Sequence, residues 1–327
     1  MICRTIITVC LCLGMVRSVA AEGVTLRYGQ IPSTARSVSG LYLSIAQQKG
    51  FFAREDIKLE LVPIPGGTDN MVAALDQGTV DVTQTATPYL IRSALAGSDA
   101  VGIAGETANP IYSLIAKPEI RSFADLKGKV VGLSLPVDTI SISMRKLFAL
   151  KGLGDTDYAV KELVGTPVRF DCLKRGDCDA VPLGQPDDLV AVGQGYRRLG
   201  LSTEAVAAFQ FQVVAARRAY AQANKDTVVR FVRALGSAFR FIRDDANRAD
   251  VVKAIVELTG SSDEIARATL ALYFEPDRGV VPKQAEIDLA GLAQVIAFMG
   301  EGGVISKPLP PPDRFVDLQY LRAAGAQ

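Results

Sequence analysis

The sequence predicts an α/β protein with two lobes, each a parallel-dominated sheet flanked by helices. Two observations support this prediction. Strand-like and helix-like hydrophobic periods alternate along most of the chain, and one spacing of four residues occurs twice, about a hundred positions apart. The repeated positions are Leu75, Gly78, Asp81 and Pro88 in the first copy and Leu173, Gly176, Asp179 and Pro186 in the second.

Both copies of the repeat predict a helix, a tight turn, a short strand and a new helix. Gly78 and Gly176 can take the left-handed backbone conformation that ends a helix. Pro88 and Pro186 stand where a helix can begin, because the first turn needs no N–H at that position. Two similar units indicate two similar lobes. Coincidence is the alternative, since the four residue types are common.

The first lobe is expected to begin with a strand over residues 24–29, followed by a helix over 38–49 that Gly50 ends. Residues 57–61 alternate between apolar and charged side chains, which predicts a strand with one buried face. Thr68 is a good N-cap for the next helix, which carries the first copy of the repeat. Strands separated by single helices form a parallel sheet that helices cover on both faces.

The second lobe follows the same pattern. A strand that ends near Ser134, a helix over 140–151 and a further strand precede the second copy of the repeat. An extended segment over 209–218 comes next, and the helices that follow it are expected to complete the first lobe. The expected organisation is a leader (1–21), a first lobe (22–110 plus 216–327) and a second lobe (111–215) with a hinge strand at each end.

The composition excludes several classes of function. The chain has 36 Lys and Arg against 35 Asp and Glu, and this balance argues against nucleic acid, which requires a basic face. Histidine is absent from the sequence, which removes Ser-His and Cys-His catalysis and most transition-metal sites. We expect neither a cofactor nor a metal.

Residues 1–21 have the pattern of a cleavable secretory signal: Arg4 near the start, an apolar run over 6–16 and small residues at the end. The run is too short to anchor the chain in a bilayer. A lipid anchor at Cys10 or Cys12 is the alternative, although neither follows a small residue. The segment holds two arginines and no acid, so its removal changes the formal net charge from +1 to −1. The mature protein is expected to be free in an exported compartment.

Cys172 and Cys178 are the only cysteines beyond the leader. In an oxidising compartment such a pair is more often a disulfide than a metal or redox site. Cys172 falls near the end of the helix in the second repeat and Cys178 opens its strand, so the turn at Gly176 can bring them together. We expect a local disulfide that contributes about 2 kcal/mol, with a redox role as the alternative.

Four segments resemble one known family, in the same order along the chain. They are AQQKGFFAREDIKLELVPIPGG, ALDQGTVDV, FADLKGKVVGLS and FVRALGSAFRFIRDDANRADVVKAIVELTG. They are similar to the substrate-binding proteins of bacterial ABC importers for nitrate, sulfonates, taurine and thiamine precursors, over nearly the whole mature chain. KGFF followed by acidic residues and an alternating strand is a fairly specific indicator of this family, whereas LKGK alone is a weak indicator.

The resemblance implies a periplasmic binding protein of the two-lobed type II fold, in which two crossing strands act as the hinge. It also implies the partners: a small-molecule solute, an ABC permease and the ATPase of that permease. The protein is expected to act as a monomer that closes on the solute and delivers it to the permease.

The binding site is expected beyond the carboxyl ends of the strands, where helix N-termini present free N–H groups. Hydroxyl, amide and glycine residues crowd five such loops. The candidate ligand-binding residues are Ser33, Thr34, Arg36, Ser39, Gly66, Gly67, Thr68, Thr85, Thr87, Asp138, Thr139, Ser141, Gln185 and Asp188. For each Ser and Thr a helix cap is the alternative, and a simple turn also explains the glycine pair.

The charged candidates leave the polarity of the solute open. Arg36 would clamp a carboxylate, sulfonate or other oxyanion unless it is a solvated loop arginine, and Arg145 and Arg169 rank behind it. Asp138 and Asp188 would accept a hydrogen bond from an amine or a ring N–H, or simply stand at helix starts, where acids are favourable. Oxyanion, sulfonate, aromatic carboxylate and pyrimidine solutes therefore all fit.

Among the aromatic residues, Tyr89 and Tyr112 are the candidates for lining the cleft. Phe51, Phe52 and Tyr42 are expected in the core. The assignment of these aromatic residues to cleft or core is a hypothesis about packing, because a position beside a predicted helix does not fix the direction of the ring.

A binding module without catalysis is the leading functional expectation. An exported lyase with Asp138 and Asp188 as its acid–base pair is one alternative. A pyrimidine-forming enzyme of thiamine synthesis would need a histidine and a cysteine-rich motif that the sequence lacks. A ligand-sensing module is the other alternative, because sensing needs the same cleft and hinge as transport.

Overall fold

The computed structural model describes residues 23–109, 111–206, 208–274 and 280–326. The predicted leader, residues 1–21, lies outside the described residues. The strands are β1 (Val24–Gln30), β2 (Ile57–Pro63), β3 (Val82–Ala86), β4 (Ala100–Thr107), β5 (Ser113–Ala116), β6 (Val130–Leu133), β7 (Ala159–Glu162), β8 (Ala180–Leu183), β9 (Arg197–Leu201) and β10 (Gln212–Arg217).

Helices cover both sheets that these strands form. They are α1 (Leu41–Gln48), α2 (Phe51–Arg54), α3 (Asp69–Asp76), α4 (Thr87–Leu95), α5 (Thr139–Leu150), α6 (Thr166–Lys174), α7 (Asp187–Gly193), α8 (Arg218–Ala223), α9 (Lys225–Arg243), α10 (Arg248–Thr259), α11 (Asp263–Phe274), α12 (Leu289–Glu301) and α13 (Gln319–Ala324). Within the described ranges, no helix combines the length and the apolar content that a bilayer crossing requires.

The two sheets have equivalent strand orders, β2-β1-β3-β10-β4 and β7-β6-β8-β5-β9. In each sheet the first three strands run parallel, and the fourth, β10 or β5, runs antiparallel to both neighbours. The predicted α/β architecture of two helix-flanked sheets is confirmed, with the correction that each sheet is mixed. The antiparallel strand is in both cases the one that the chain enters directly after passing from the other sheet.

The repeat found in the sequence occupies the same place in both sheets. Gly78 and Gly176 have φ angles of 70° and 81°, so both take the predicted left-handed conformation that ends a helix. The strands that follow, β3 and β8, are the central strands of their sheets. Pro88 lies in the first turn of α4, and Pro186 immediately precedes α7. Both sheets are therefore built by the same helix–strand–helix unit.

Two local predictions need correction. Thr68 stands at the start of α3, but its own backbone is helical and its side chain makes no capping hydrogen bond there. The predicted strand over 209–218 is shorter, since β10 spans Gln212–Arg217. Because β10 pairs with β3 and β4, the predicted second-lobe segment 111–215 includes strand residues that lie in the first sheet.

The core of the first sheet is completed by helices from the end of the chain. Phe231 of α9 packs against Tyr28 of β1 and stacks on Phe52 of α2, with ring centroids 6.2 Å and 5.7 Å apart. Tyr42 stacks on Phe239 of α9 at 5.3 Å. Tyr42 and Phe52 are thus core residues, as the sequence predicts.

The predicted disulfide is present between Cys172 and Cys178, whose Cα atoms are 5.3 Å apart. Both cysteines are buried in the apolar layer that lies between the second sheet and the helices α6 and α7. The bond joins the last turns of α6 to a residue two positions before β8, across the turn at Gly176. It therefore fastens the helix to the strand within the second copy of the repeat.

Candidate functional site

A cavity of about 280 Å³ lies between the two sheets. Loops that follow the carboxyl ends of β1, β2, β6, β7 and β8 contribute to its walls, as do the segments in which the chain passes from one sheet to the other. The cavity is thus located where ligands of open α/β sheets bind. Its lining combines hydroxyl and amide side chains and glycine backbone with a similar share of apolar and aromatic surface.

Nine of the fourteen predicted ligand-binding residues line this cavity. They are Ser33, Thr34, Arg36, Ser39, Gly66, Gly67, Thr68, Asp138 and Gln185. Residues far apart in the sequence are brought together because both sheets direct the carboxyl ends of their parallel strands at the same space.

The two lobes approach each other directly at the rim of the cavity. A Cβ atom placed on Gly67 would lie 3.4 Å from Cγ1 of Val164, and one placed on Gly165 would lie 3.9 Å from Oγ of Ser33. Gly67 and Ser33 belong to loops of the first sheet, whereas Val164 and Gly165 follow β7 of the second. The loops after β1, β2 and β7 therefore meet over the cavity.

The other five predicted site residues are buried away from the cavity, because their polar groups are used inside the protein. Thr85 Oγ1 donates to the carbonyl of Thr68 at 3.2 Å, and Thr87 Oγ1 donates to that of Gln210 at 2.6 Å. Ser141 Oγ donates to the carbonyl of Ser134 at 2.8 Å. The two remaining residues, Thr139 and Asp188, are fully buried in α5 and α7.

Asp188 is held by a buried network in the second sheet. Its carboxylate accepts from Ser113 Oγ at 2.6 Å, from Arg198 at 2.9 Å and from Gln185 Nε2 at 3.1 Å. Asp188 of α7 and Arg198 of β9 form an ion pair that holds the helix against the strand. The carboxylate therefore holds parts of the second lobe together, and it does not face the cavity.

Asp138 faces the cavity from the N-cap of α5. Its Oδ1 accepts the main-chain N–H of Ile140 at 3.0 Å, and its Oδ2 accepts from Ser134 Oγ at 2.7 Å. Burial raises the pKa of Asp138 above its ordinary value, although these hydrogen bonds oppose the shift. Asp138 is thus the helix cap that the sequence offered as one alternative, and it also contributes a carboxylate to the wall.

Arg169 is the buried cation of the cavity wall, with 1% of its surface exposed. Nε donates to the carbonyl of Pro182 at 2.7 Å, Nη1 to that of Leu163 at 3.2 Å, and Nη2 to Thr166 Oγ1 at 3.1 Å. These acceptors are neutral, and burial lowers the pKa of the guanidinium. Tyr112, which also lines the cavity, has its ring centroid 5.8 Å from the guanidinium carbon.

The other predicted cations take different positions. Arg36 is exposed at the edge of the cavity. Arg145 lies outside the cavity lining and pairs with Asp155 at 2.6 Å on the surface of the second lobe. Tyr89, a predicted cleft residue, is buried and does not line the cavity.

Several lining residues were not among the sequence candidates. They are Ile31, Ser37, Thr107, Ile111, Ser134, Ile140, Val164, Gly165, Thr166, Pro167, Gly184, Pro186, Asp187, Phe211, Gln212, Thr259 and Tyr273. Tyr112 and Arg169, which the sequence analysis named as secondary candidates, also line the cavity. The sequence contains one signal for part of this set. Thr107 lies shortly before the first predicted hinge segment and Gln212 lies within the second, and these segments must border any cleft between the lobes. Thr259 and Tyr273 come from C-terminal helices and have no such signal.

The described residues contain no group of three or more His, Cys, Asp or Glu side chains placed to hold a metal ion. The lining is suited instead to a compact organic or anionic molecule, held by hydroxyl groups, main-chain N–H groups at glycines and a few charges.

The chain is similar to known proteins in sequence and in fold. The model of the family described as NMT1/THI5 like matches residues 37–249. A Haemophilus influenzae protein, provisionally named for thiamine biosynthesis, is 25% identical over 84% of this chain and 87% of its own length.

Two solved structures show the same fold. The ligand-binding component of an ABC-type import system from Staphylococcus aureus, solved with zinc bound, has a TM-score of 0.77 at 14% identity, over 93% of this chain and 99% of that chain. The alkanesulfonate-binding protein from Xanthomonas axonopodis pv. citri, bound to MOPS, has a TM-score of 0.70 at 20% identity, over 90% of this chain and 99% of that chain.

Proposed function

The chain belongs to the NMT1/THI5-like family, and on that premise we propose that it is the solute-binding component of an ABC-type importer. It captures a small organic or oxyanionic solute between its two lobes and delivers it to a membrane permease that an ATPase drives. Its place of action is the periplasm, after removal of the leader at residues 1–21. The structures that share the fold include import components, which supports this proposal.

The observation that carries the proposal is the cavity between the sheets. Its volume of about 280 Å³ lies at the lower end of small-molecule sites, which favours a compact solute. Hydroxyl groups of Ser33, Ser39 and Thr68 can donate or accept hydrogen bonds, so they do not restrict the solute to one charge. Arg169 adds a buried positive charge, which stabilises a negative group on the solute more strongly than an exposed arginine would.

Closure of the lobes is the proposed motion. The chain passes between the sheets from β4 to β5 and again from β9 to β10, so two connections join the lobes. Gln210 in the second connection donates to the carbonyl of Thr107 at 3.3 Å, at the end of β4 where the first connection begins. This bond ties the connections to each other, and the lobes can then rotate about them as a hinge. The close approach of Gly67 and Val164 corresponds to the closed arrangement.

Catalysis is the weaker proposal, because the two aspartates that the sequence suggests as an acid–base pair have different roles in the structure. Asp188 is buried in its ion pair with Arg198, whereas Asp138 caps α5 at the cavity wall. A general base needs access to the proton that it removes, and Asp188 lacks that access.

The test is a thermal-shift screen of residues 22–327 against sulfonates, nitrate, aromatic acids, pyrimidines and amino acids. A solute that binds at saturating concentration is expected to raise the melting temperature by several degrees. The hit should be recovered unchanged after incubation. Chemical conversion of the hit would instead support an enzyme.

Matched variants connect a hit to the cavity. Gly67→Leu places a side chain in the cavity wall and is expected to abolish the shift, whereas Gly154→Leu lies on the exposed surface and should leave it unchanged. If no compound gives a shift, mass spectrometry of the denatured protein reveals a solute that co-purified. Absence of both a shift and a co-purified solute contradicts the proposed function.

A further inference from the structure

A second, much smaller cavity of about 20 Å³ adjoins the main one. Three residues, Ser39, Thr107 and Tyr273, line both cavities and form the wall between them. A volume of this size holds one water-sized group.

The small cavity contains an acid without an adequate partner. Glu106, at the end of β4, lines it and is 2% exposed. One carboxyl oxygen, Oε1, lies 3.4 Å from Oγ1 of Thr107, which is a weak hydrogen bond at best. The other, Oε2, has no hydrogen-bond partner among the described residues. A buried polar atom left in this condition costs free energy, so a donor is expected to occupy the space beside it.

Aromatic rings form much of the remaining surface. Tyr42, Phe239 and Tyr273 line the small cavity together with aliphatic side chains, and the part of its lining that the structure describes contains no Lys or Arg. An ionised carboxylate in this apolar surrounding attracts a small cation, because no opposite charge among the described lining residues balances it. The composition of the wall thus favours a positively charged group over a neutral or negative one.

We propose that the small cavity is an ammonium subsite, in which Glu106 receives a primary amino group carried by the solute of the main cavity. The proposal rests on the proposed function, since it assigns a chemical class to the same solute. An ammonium group has three N–H donors, and the oxygens of Glu106, Ser39 and Tyr273 supply acceptors at the junction of the two cavities.

The titration of Glu106 provides a second readout. Burial raises the pKa of Glu106 to about 8. The titratable groups that interact with it are the phenols of Tyr28, Tyr42, Tyr112 and Tyr273. Since an ammonium group requires the ionised carboxylate, its binding near neutral pH must release one proton. The affinity should therefore fall up to tenfold for each pH unit below about 8.

The experiment compares probes that differ only in an amino group. The pairs are 3-aminopropane-1-sulfonate with butane-1-sulfonate, 4-aminobutyrate with pentanoate, and benzylamine with benzyl alcohol. Calorimetric affinities at pH 8 are measured for the wild-type chain (residues 22–327), Glu106→Gln and the control Glu119→Gln, whose carboxylate is exposed on the second lobe. In at least one pair, the amine is expected to bind at least tenfold more tightly than its partner.

The preference should fall to near one in Glu106→Gln and persist in Glu119→Gln. In wild-type protein it should also shrink between pH 8 and pH 6, with proton release that differs between buffers of different ionisation enthalpy; this readout needs no variant. If both members of each binding pair bind equally well, the subsite is wrong and the proposed function stands. Failure of all six probes contradicts the subsite and a compact solute together.

Discussion

The carboxylate of Asp179 accepts the main-chain N–H of Val130 at 2.9 Å, and so fixes the start of β6 to the residue before β8. Asp81 makes the same contact in the first sheet, where it accepts the N–H of Arg27 on β1 at 2.9 Å. Each aspartate also holds a basic side chain, Lys117 in one case and Arg27 in the other. The aspartate of the sequence repeat therefore joins two neighbouring strands in both lobes.

Replacement of this carboxylate should destabilise either lobe. We expect Asp179→Asn and Asp81→Asn each to lower the free energy of unfolding by about 1–3 kcal/mol, because a strand N–H loses a charged acceptor. Urea unfolding provides the measurement. Asp177→Asn is the control, since Asp177 is exposed and its ion pairs are loose, and its effect should stay within about 0.5 kcal/mol. Equal effects for all three would show that the strand contact is dispensable.

Stability should fall as the pH rises through the neutral range, because of Glu106. Its folded-state pKa of about 8 lies above the ordinary value of 4.5, so between these values the folded chain binds more protons than the unfolded chain. From this group alone, the free energy of unfolding is expected to decrease by up to about 1.4 kcal/mol per pH unit between pH 5 and 8. The difference between wild type and Glu106→Gln in urea unfolding isolates the effect. A difference that is flat with pH would mean that Glu106 is ionised in the folded protein.

Reduction of the disulfide should weaken the second lobe without loss of its fold. In the chain-entropy account, a cross-link between Cys172 and Cys178 contributes about 2 kcal/mol. Since residues 22–327 contain no other cysteine, oxidised and reduced wild-type protein can be compared directly by urea unfolding. Coincident unfolding curves would show that the short loop is equally well ordered without the bond.

Helix α12 depends on a glycine for its contact with the second connection between the lobes. A Cβ atom on Gly291 would lie 2.4 Å from the carbonyl carbon of Phe209, so Gly291→Ala must displace the helix or that segment. We expect a loss of about 1–3 kcal/mol in the free energy of unfolding. Gly193→Ala in α7 is the matched control, because no atom lies within 4 Å of its added Cβ. It should be neutral or gain up to about 1 kcal/mol, and a neutral Gly291→Ala would disprove the close contact.

An anionic solute should depend on Arg36. For an alkanesulfonate found by the screen, Arg36→Ala is expected to weaken binding at least tenfold, since it removes a cation from the edge of the cavity. Arg121→Ala, on the exposed surface of the second lobe, is the control for the loss of net charge. Calorimetry gives both affinities. If the affinity is unchanged, the anion contact passes to Arg169, because Arg145 lies outside the cavity lining.

The sequence predicts the backbone of this fold better than it predicts the direction of the side chains. Gly78, Gly176 and Pro88 act locally, so their turns and helix starts could be predicted from neighbouring residues. Hydroxyl groups are different, because a Thr at a strand end serves equally well as ligand contact or as internal donor. Thr68 faces the cavity and Thr85 donates to the carbonyl of Thr68, and only the packed structure distinguishes them.

Long-range packing accounts for the residues that were missed. Tyr273 reaches the cavity because α11 returns to the site from the far end of the chain, and local periodicity carries no information on that return. Glu106 did have a signal: it is the only charged residue in the strand Ala100–Thr107. An isolated acid in such a strand is a buried group that requires a partner.

The position of β10 between β3 and β4 has a consequence for the order in which the chain can fold during synthesis. The strands β5 to β9 are contiguous in sequence, so the second sheet can assemble as soon as residue 201 has emerged. The first sheet must wait for Gln212–Arg217, because its inner strand arrives only after the whole second lobe. Until then the edges of β3 and β4 that pair with β10 stay unpaired, and unpaired strand edges are where association with other chains begins.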